Sequence, residues 1–596
     1  MTEVSVPALY QVPESGSVTD WVVHNAASAP HRAVFARRVA DRWQDVTAEE
    51  FLTEVRAVSK GLVAAGVAPG DRVALMSKTR YEWTLVDFAV WFAGAVGVPI
   101  YETSSAEQVE WILSDSGAVA CVVETAAHAD VVAQVRERVP DLHRVWEIDG
   151  GAVDDLVAAG AEVPDAELEQ RRTAVRSADL ATIIYTSGTT GQPKGCELTH
   201  ANFLAEVRNV VGALPELFVP GMSSTLLFLP LAHVFARVIQ LSCVFAQTRL
   251  AHTSDVKRLV EDFGSYQPTF ILAVPRVFEK VYNSSQQKAE AAGKGRIFSV
   301  AAETAIAWSE AQDVRGPGIT LRLRHALFDR LVYGKLRAAL GGRVEYAVSG
   351  GAPLGTRLGH FFRGIGITVV EGYGLTETTA AAAANRPATV KIGTVGQPIP
   401  GMSIRTADDG EILIKGPVVF RGYYGKSDAT REAVDAEGWF HTGDLGSLDE
   451  DGFLRITGRK KEILVTAGGK NVAPTVLEDR LRAHPLVSQC VVVGDARPYI
   501  ACLVTLDADA VPAWLDLKGK PRVPVSELVD DPDVLAEIQA AVDEANRAVS
   551  KAEAIKRFRI LAVDFTEESG HLTPKLNLKR SLVLKDYASE VDALYR

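Results

Sequence analysis

Short apolar runs alternate with longer amphipathic stretches from about residue 71 onward. The short runs are rich in Val, Ile and Ala and predict strands, whereas the longer stretches repeat apolar residues every three to four positions and predict helices. In chain order these segments are RVALM (72–76), YEWTLVDFAVWFAGA (81–95), VGVPIY (96–101), SAEQVEWILSDSG (105–117) and AVACVVE (118–124). Ser105 and Gln108 have the spacing of a capping box at the second helix. This order predicts a parallel sheet with helices on both faces.

The same alternation returns further along the chain. Strands are predicted at STLLFLPL (224–231), TFILAVP (269–275), VEYAVSGG (344–351) and ITVVEGYG (367–374), with a long helical region over about 276–340. From 393 to 453 short strands are separated by Gly, Pro and Asp turns, of which Asp408-Asp409-Gly410 is the clearest. That texture favours a small antiparallel or barrel-like subdomain. The last part combines a helix at 474–484, strands at 488–495 and 499–507, and two further helices.

The chain is therefore predicted to be an α/β protein of two domains. Its 596 residues exceed the ~250 to 300 at which a single core stops growing. We expect a large N-terminal domain of parallel α/β sheets over 1–458, including the β-rich subdomain at about 393–453. A small α+β C-terminal domain is expected over 459–596.

Charge and cysteine content argue against several kinds of partner and site. The formal net charge of −12 disfavours a nucleic acid partner, because phosphate binding needs clustered Lys and Arg. Five scattered cysteines predict neither a disulfide framework nor a zinc site and fit a cytoplasmic location. The N-terminus does not have the pattern of a secretory signal, and the longest apolar stretch, 85–100, falls short of the ~20 residues that span a bilayer.

The chemistry is concentrated first in the segment YTSGTTGQPKG, residues 185–195. Glycines let backbone N–H groups converge on phosphate oxygens, hydroxyl groups add donors, and Lys194 adds a positive charge. The segment is not a Walker A loop, because Pro193 and Gly195 stand where that motif needs Gly and then Ser or Thr. A Gly-rich loop taken alone is equally compatible with a solvated turn.

Segment 185–195 resembles the signature of the adenylate-forming superfamily, and further motifs follow in the family's order: SGGAPL (349–354), EGYGLTET (371–378), WFHTGD (439–444) and GRKKE (458–462). The resemblance implies that Tyr373 stacks on adenine, that Asp444 accepts the ribose hydroxyls, and that Thr186 and Glu377 hold Mg²⁺. The implied ATP or AMP site comprises Thr186, Ser187, Gly188, Thr189, Thr190, Gly191, Lys194, Gly350, Gly351, Ala352, Glu371, Gly372, Tyr373, Gly374, Thr376, Asp444 and Arg459.

The resemblance also implies a moving C-terminal domain. Lys461 falls at the hinge, near 459–461, about which the small domain of the family rotates. Gly468 or Gly469 would lie against the pantetheine of coenzyme A, although a GG pair also favours a simple hairpin turn. The family uses a lysine near the C-terminus for adenylation, but a gap-free alignment places Asn577 there. Lys575 and Lys579 are the two candidates, and Lys579 is favoured.

Within the superfamily the chain is most similar to bacterial long-chain fatty-acid–CoA ligases. The resemblance rests on GVPIYET (97–103), LPLAHVF (229–235), VPRVFEK (274–280) and a long helical insertion near 286–343. It implies that ATP, coenzyme A and a fatty acid are the substrates. Phe235, Arg276 and Phe278 would then line the acyl pocket, and His233 would stand near the nascent acyl-AMP.

Three alternatives stay open. A fatty-acyl-AMP ligase that serves a carrier protein would share the ATP site, although its loop usually departs from GTTGxPKG. An amino-acid-adenylating enzyme would need a carboxylate for the substrate ammonium, and a non-catalytic nucleotide-binding protein could retain the fold. Acyl chain length, oligomeric state and peripheral contact with the inner face of a membrane are not decided by the sequence.

Overall fold

The computed structural model describes residues 1–186, 192–468, 470–573 and 578–596. A seven-stranded sheet organises the first part of the chain. Its strands lie in the order Gly422–Tyr423, Lys194–Thr199, Leu180–Thr186, Val96–Ile100, Arg72–Met76, Ala118–Val123 and Arg144–Glu147. The last five run parallel to one another, and the first two pair antiparallel. The predicted βαβ order is confirmed.

The N-terminal part contains two further sheets that are covered by helices. Ser224–Leu227, Arg249–His252, Ala33–Val39 and Arg42–Thr47 form a four-stranded sheet, and Phe270–Ala273, Tyr346–Ser349, Thr368–Tyr373, Ala383–Ala384 and Gln397–Pro398 form a five-stranded one. The first three strands of the five-stranded sheet are parallel to one another. All four strands predicted between 224 and 374 are present.

The β-rich segment forms an antiparallel sheet, as predicted. Its order is Glu3–Ser5, Ser403–Thr406, Glu411–Lys415, Phe440–Leu448 and Leu454–Arg459. The turn at Asp408-Asp409-Gly410 connects two of these strands, and Gly410 adopts φ +84°, where a residue without Cβ is favoured. The N-terminal strand was not predicted, because three residues carry too little pattern to separate a strand from a loop.

Helices cover the sheets of this N-terminal part. They span Thr19–Ser28, Ala48–Ala64, Tyr81–Phe92, Ala106–Ser116, Ala126–Val135, Ala152–Ala159, Asp165–Ala174, His200–Ala213, Val234–Phe245, Leu259–Tyr266, Pro275–Ala291, Gly295–Gln312, Ile319–Phe328, Gly334–Ala339, Thr356–Gly364 and Ser427–Ala433. Ser105 and Gln108 form the predicted capping box. The helical region predicted over 276–340 is broken into several helices, because Gly293 and Gly316 adopt positive φ and end the helices before them.

The C-terminal part has a small core of its own. Val487–Val493, Ile500–Leu506 and Ile555–Leu561 form one sheet, and Leu464–Val465 pairs with Asn471–Val472. Helices span Pro474–Arg482, Val511–Leu517, Pro532–Asn546, Arg580–Asp586 and Ala588–Ala593. The described residues thus form a large α/β part followed by a small α+β part. Within them no helix is both long and apolar enough to cross a bilayer.

Candidate active site

Two of the sequence motifs meet at one edge of a sheet. The parallel strands Tyr346–Ser349 and Thr368–Tyr373 place Ser349 opposite Glu371, so the segments that follow both strands leave the sheet side by side. Ligands of open α/β sheets bind at this carboxyl edge. A Cβ on Gly350 would lie 3.2 Å from Cζ of Phe235, so the glycine allows that ring to approach the backbone. The edge therefore brings together Gly350, Phe235 and the start of EGYGLTET.

Asp444 joins this edge to the β-rich sheet. The Tyr373 hydroxyl donates to Oδ2 of Asp444 at 2.7 Å, and Nε of Arg459 lies 3.1 Å from Oδ1. Asp444 and Arg459 stand directly opposite each other on two antiparallel strands, which explains the spacing between TGD and GRKKE. Asp444 is only 4% exposed. Three residues predicted separately for the nucleotide site thus form one hydrogen-bonded group.

Burial changes the acidity of this group. It raises the pKa of Asp444, while the positive charge of Arg459 and the hydrogen bond from Tyr373 oppose the rise. The pKa of the Tyr373 phenol is raised well above its usual value by burial and by the Asp444 carboxylate, so the phenol stays protonated and donates. A carboxylate oxygen can accept more than one hydrogen bond, so Asp444 retains acceptor capacity for a diol.

Lys194 and Glu377 meet through a residue that the sequence analysis missed. The Tyr423 hydroxyl donates to Oε1 of Glu377 at 2.9 Å, and the Lys194 ammonium lies 4.9 Å from the centroid of the Tyr423 ring, within cation–π range. The Phe420 N–H also donates to the Glu377 carbonyl oxygen at 2.8 Å. Tyr423 therefore holds a predicted phosphate-binding ammonium and a predicted metal-binding carboxylate in one place.

A previously unpredicted strand fixes Lys194. Strand Lys194–Thr199 pairs with Leu180–Thr186, and Thr186 stands opposite Lys194 at the two ends of the Gly/Thr-rich loop. Trp111 Nε1 donates to the Pro193 carbonyl oxygen at 2.8 Å and anchors the end of the loop. Of the predicted loop residues, Ser187, Gly188, Thr189, Thr190 and Gly191 lie outside the described residues. Only the ends of the loop can therefore be compared with the prediction.

The oxygen donors close to Lys194, which belong to Thr186 and Glu377, fit a magnesium ion that a nucleotide would hold in large part. The described residues contain no cluster of three or more His, Cys, Asp and Glu side chains suited to a metal. The Thr186 hydroxyl and the Glu377 carboxylate are hard oxygen donors, and both belong to segments that meet the Lys194 strand. Mg²⁺ characteristically takes few protein ligands and completes its shell with phosphates and water. This donor set is compatible with such an ion.

His233 and Phe235 are positioned by a buried ion pair. Nδ1 of His233 accepts from the Phe235 N–H at 3.0 Å and caps helix Val234–Phe245. One turn further along the helix, Nε of Arg237 donates to Asp87 at 2.9 Å, and its Nη1 donates to the Thr182 hydroxyl at 2.6 Å. The helix is thereby tied to the strand that leads into the Gly/Thr-rich loop. Arg237 thus anchors the first turn of this helix, which follows His233 and contains Phe235.

The two other predicted acyl-pocket residues lie on helix Pro275–Ala291. Phe278 is buried and makes an edge-to-face contact with Phe362, with ring centroids 5.2 Å apart. Arg276 instead pairs with Glu279 at 3.1 Å and with Asp507 of the C-terminal part at 2.9 Å. Phe278 therefore belongs to an apolar wall, whereas Arg276 connects that wall to the C-terminal part.

The predicted hinge is an exposed segment with unequal anchoring. Arg459 pairs with Asp444, and Lys460 pairs with Asp409 at 2.5 Å and Glu411 at 3.1 Å. Lys461 follows them, and the structure records no ion pair from Lys461 to a described residue. The chain is thus held to the N-terminal part up to residue 460. Gly468 lies in the exposed loop of the next hairpin, and Gly469 lies outside the described residues.

A residue upstream of the C-terminal lysine candidates contacts the N-terminal part. Thr103 hydrogen bonds to Glu567, and Thr103 follows strand Val96–Ile100, the parallel neighbour of Leu180–Thr186. The Lys579 N–H donates to the His571 carbonyl oxygen at 2.8 Å, and Leu572 pairs with Leu578. Lys575 and Asn577 lie outside the described residues. Glu567, upstream of both lysine candidates, therefore contacts the segment that follows strand Val96–Ile100, the neighbour of the strand that leads into the Gly/Thr-rich loop.

Comparison with known proteins identifies the family. The sequence profile described as AMP-binding enzyme matches residues 22–424, and that described as AMP-binding enzyme C-terminal domain matches residues 461–596. The chain belongs to the AMP-binding enzyme family. A relative named long-chain-fatty-acid–CoA ligase FadD15, from Mycobacterium bovis, is 54% identical over the full length of both chains. Long chain acyl-CoA synthetase 7, peroxisomal, from Arabidopsis thaliana is 31% identical over 98% of this chain and 87% of its own.

Solved structures of other adenylate-forming enzymes share the fold. An anthranilate CoA ligase in complex with anthranoyl-AMP superposes with a TM-score of 0.74 at 18% identity, over 98% of this chain and 99% of the other. A Mycobacterium tuberculosis fatty acyl CoA synthetase gives a TM-score of 0.62 at 21% identity, over 96% and 99%. The large N-terminal part and small C-terminal part predicted from the sequence are therefore those of this family.

Glu371 makes the stability of this AMP-binding enzyme depend on pH. Burial and the nearby Asp479 carboxylate raise the pKa of Glu371 to about 7, although the Leu354 N–H donates to its Oε2 at 3.1 Å. An unfolded glutamate loses its proton near the ordinary value of 4.5. Between these two values the folded chain therefore binds more protons than the unfolded chain, and stability falls as pH rises.

We expect Glu371→Gln to remove this loss. The melting temperature of the variant minus that of the unsubstituted protein should be roughly 2 °C larger at pH 8 than at pH 5.5, when both are measured without ligands. Glu345→Gln, an exposed position at the other end of the neighbouring strand, is the matched control and should show no such trend. A difference between Glu371→Gln and the unsubstituted protein that does not change with pH would contradict the assignment.

Proposed function

We propose that the chain activates a long-chain fatty acid with ATP and transfers it to coenzyme A. The reaction consumes the acid, ATP and coenzyme A and yields acyl-CoA, AMP and pyrophosphate. Full-length identity of 54% to a relative with the printed name long-chain-fatty-acid–CoA ligase supports the substrate class. The observation that carries the chemistry is the arrangement of Lys194, Tyr423 and Glu377 in one place, on the sheet that Glu567 of the C-terminal part contacts through Thr103.

In the first step a carboxylate oxygen of the fatty acid attacks the α-phosphorus, and pyrophosphate leaves. Tyr373 stacks on adenine, and Asp444 accepts from the ribose hydroxyls while Arg459 holds it in place. Lys194 faces the departing phosphates, and Lys579 reaches the acid and the α-phosphate from the opposite side. Charges placed before the reaction begins stabilise the transition state without reorganisation.

Mg²⁺ would be held by the Thr186 hydroxyl and the Glu377 carboxylate. When bound it offsets the negative charge that develops on the phosphate oxygens. Tyr423 orients the Glu377 carboxylate through its hydroxyl, and its ring keeps Lys194 on the same side. The Lys194 ammonium is thus available to the phosphates, and the Glu377 carboxylate is available to Mg²⁺.

In the second step the coenzyme A thiol attacks the acyl carbonyl of acyl-AMP, and AMP leaves. The small domain, 459–596, turns about Lys461, and Gly468 and Gly469 come to lie along the pantetheine. Arg459 and Lys460 remain tied to the N-terminal domain by carboxylates, so the change of backbone direction falls at the residue after them. His233, which caps its helix through Nδ1, stands near the acyl-AMP.

The acyl chain occupies a pocket lined by Phe235, Phe278 and the edge of helix Pro275–Ala291. Phe235 lies against Gly350, beside the nucleotide, and Phe278 lies deeper among aromatic side chains. Arg276 stands where this wall meets the C-terminal domain, so movement of that domain changes its partners. The enzyme works in the cytoplasm, where its three substrates are present.

Pyrophosphate release with palmitate, with and without coenzyme A, tests the function. We expect release that depends on palmitate, and acyl-CoA formation that depends on coenzyme A. No release with acids of two to twenty-four carbons would contradict the ligase function and favour the non-catalytic alternative. Acyl-AMP that accumulates without becoming a thioester would instead favour a fatty-acyl-AMP ligase.

The role of Lys579 predicts a selective loss. Lys579→Ala should lower the rate of acyl-AMP formation at least ~100-fold, because it removes a charge that acts on the transition state. Thioester formation from supplied acyl-AMP should stay within about twofold, since that step does not use Lys579. Lys585→Ala, an exposed lysine on the next helix, is the control. If Lys579→Ala kept acyl-AMP formation while Lys575→Ala lost it, Lys575 would hold the role instead.

A further inference from the structure

The helical insertion carries apolar side chains that face away from the protein. Val314, Ile319, Leu323, Leu327 and Leu331 are 80%, 78%, 69%, 56% and 50% exposed. These five residues are called the apolar stripe below. Three of them are four residues apart within helix Ile319–Phe328, so they lie on one face and within about a quarter of the helix circumference. An ordered row of this kind differs from the single exposed apolar residues common on protein surfaces.

The apolar stripe is not the face by which this helix packs on the protein. His325 stacks on Trp308 with ring centroids 4.1 Å apart, and its Nε2 lies 2.7 Å from the Gly364 carbonyl oxygen. Phe328 is buried on the same side. These contacts lie roughly opposite Leu323 around the helix. The helix therefore packs on the protein through His325 and Phe328, and the apolar stripe is a second apolar face that makes no part of this contact.

A wide helical turn extends this arrangement. Residues Asp329–Tyr333 form a π-helical turn, which advances by a smaller angle per residue than an α-helix. Tyr333 is consequently buried, with its hydroxyl donating to the Ala301 carbonyl oxygen at 2.7 Å, while Leu331 stays exposed beside Leu327. The π-helical turn thus keeps the buried face of the helix and the apolar stripe on different sides up to Tyr333.

Basic side chains flank the apolar stripe. Residues 314–343 contain seven Lys or Arg and one Asp, in a chain whose formal net charge is −12. Arg315, Arg322, Arg324, Arg330 and Lys335 are exposed, and the structure records no ion pair from any of them to a described residue. The single acidic residue, Asp329, is already paired with Arg337. The surface around the apolar stripe is therefore strongly positive within an acidic protein.

We propose that this surface docks on a lipid bilayer that contains anionic phospholipids. The helix lies in the plane of the interface, with the apolar stripe in the boundary between headgroups and acyl chains and the arginines on the phosphates. A helix with an apolar face and a basic rim binds bilayers in this way, and the attraction depends on anionic lipid and on salt. A purely apolar partner surface would leave these unpaired positive charges without complementary groups.

The position of the surface links it to the acyl pocket, a point that rests on the proposed function. Helix Gly295–Gln312 packs between helix Ile319–Phe328, which carries most of the apolar stripe, and helix Thr356–Gly364. Phe362 of the latter contacts Phe278, and Phe361 contacts Tyr282 with ring centroids 4.8 Å apart. The docking surface and the aromatic wall are thus two sides of one helical layer. A docked enzyme would take up its acid where such acids partition.

Vesicle sedimentation with the full-length chain, without ATP, acid or coenzyme A, tests the proposal. The probes are phosphatidylcholine vesicles with and without phosphatidylglycerol. We expect binding to the vesicles that contain phosphatidylglycerol, weaker binding to phosphatidylcholine alone, and a loss of binding as salt increases. Leu323→Gln/Leu327→Gln should lower the partition coefficient at least ~tenfold.

Two further variants separate the contributions. Arg322→Gln/Arg324→Gln/Arg330→Gln should abolish the preference for phosphatidylglycerol and the salt dependence. Val260→Gln/Leu517→Gln changes two comparably exposed apolar residues outside the insertion and should bind as the unsubstituted protein does. All variants should keep the melting temperature, because the substituted side chains do not pack in the core.

Three results would overturn the proposal. The unsubstituted protein could fail to sediment with phosphatidylglycerol vesicles, or Leu323→Gln/Leu327→Gln could bind them equally well. Alternatively, the unsubstituted protein could be a dimer in solution that this variant converts to a monomer, which would assign the apolar stripe to a second copy of the chain. Because no substrate is present, these results are independent of whether the ligase assay succeeds.

Discussion

The Asp444 carboxylate is the point on which the proposed nucleotide site depends. One of its oxygens accepts from the Tyr373 hydroxyl, and the other faces the Arg459 guanidinium. Tyr373 ends a strand of an α/β sheet, whereas Asp444 and Arg459 are opposed on the β-rich sheet. Breaking the group would leave a buried carboxylate without its compensating charge, which costs far more than a surface ion pair. The same group ends two residues before Lys461, so the site and the proposed hinge share one anchor.

A second junction organises the phosphate end. Tyr423 is part of the seven-stranded sheet, next to the strand that begins at Lys194, and it reaches Glu377 with its hydroxyl. Asp444 and Tyr423 therefore perform similar tasks at the two ends of the proposed nucleotide site: each connects elements from different parts of the chain. The C-terminal segment approaches the same sheet edge through Thr103 and Glu567. In the proposed function, movement of the C-terminal domain changes the phosphate end of such a composite site and leaves the Tyr373–Asp444 group in place.

Much of this arrangement could be predicted from local signals. The strands and helices between 72 and 123 follow periodicity, the capping box at Ser105 follows spacing, and the motif order identified the family. Tyr423 could not be found in this way, because its role arises from contacts with residues that are 46 and more than 200 positions away in the chain. Strand Ile555–Leu561 was missed because its charged residues obscure the apolar alternation. The assignment of Lys579 over Lys575 stays a prediction.

The most direct test of the account is the affinity of the Asp444→Asn variant for AMP, measured by titration calorimetry. Asparagine keeps the shape but removes the charge that faces Arg459 and one of the acceptors offered to the ribose. A hydrogen bond to a charged group contributes about 1.5–3 kcal/mol, so AMP should bind the variant at least ~tenfold more weakly. Asp451→Asn, an exposed aspartate in the same β-rich region, should bind AMP as the unsubstituted protein does. An Asp444→Asn affinity within about twofold of the unsubstituted protein would contradict the account.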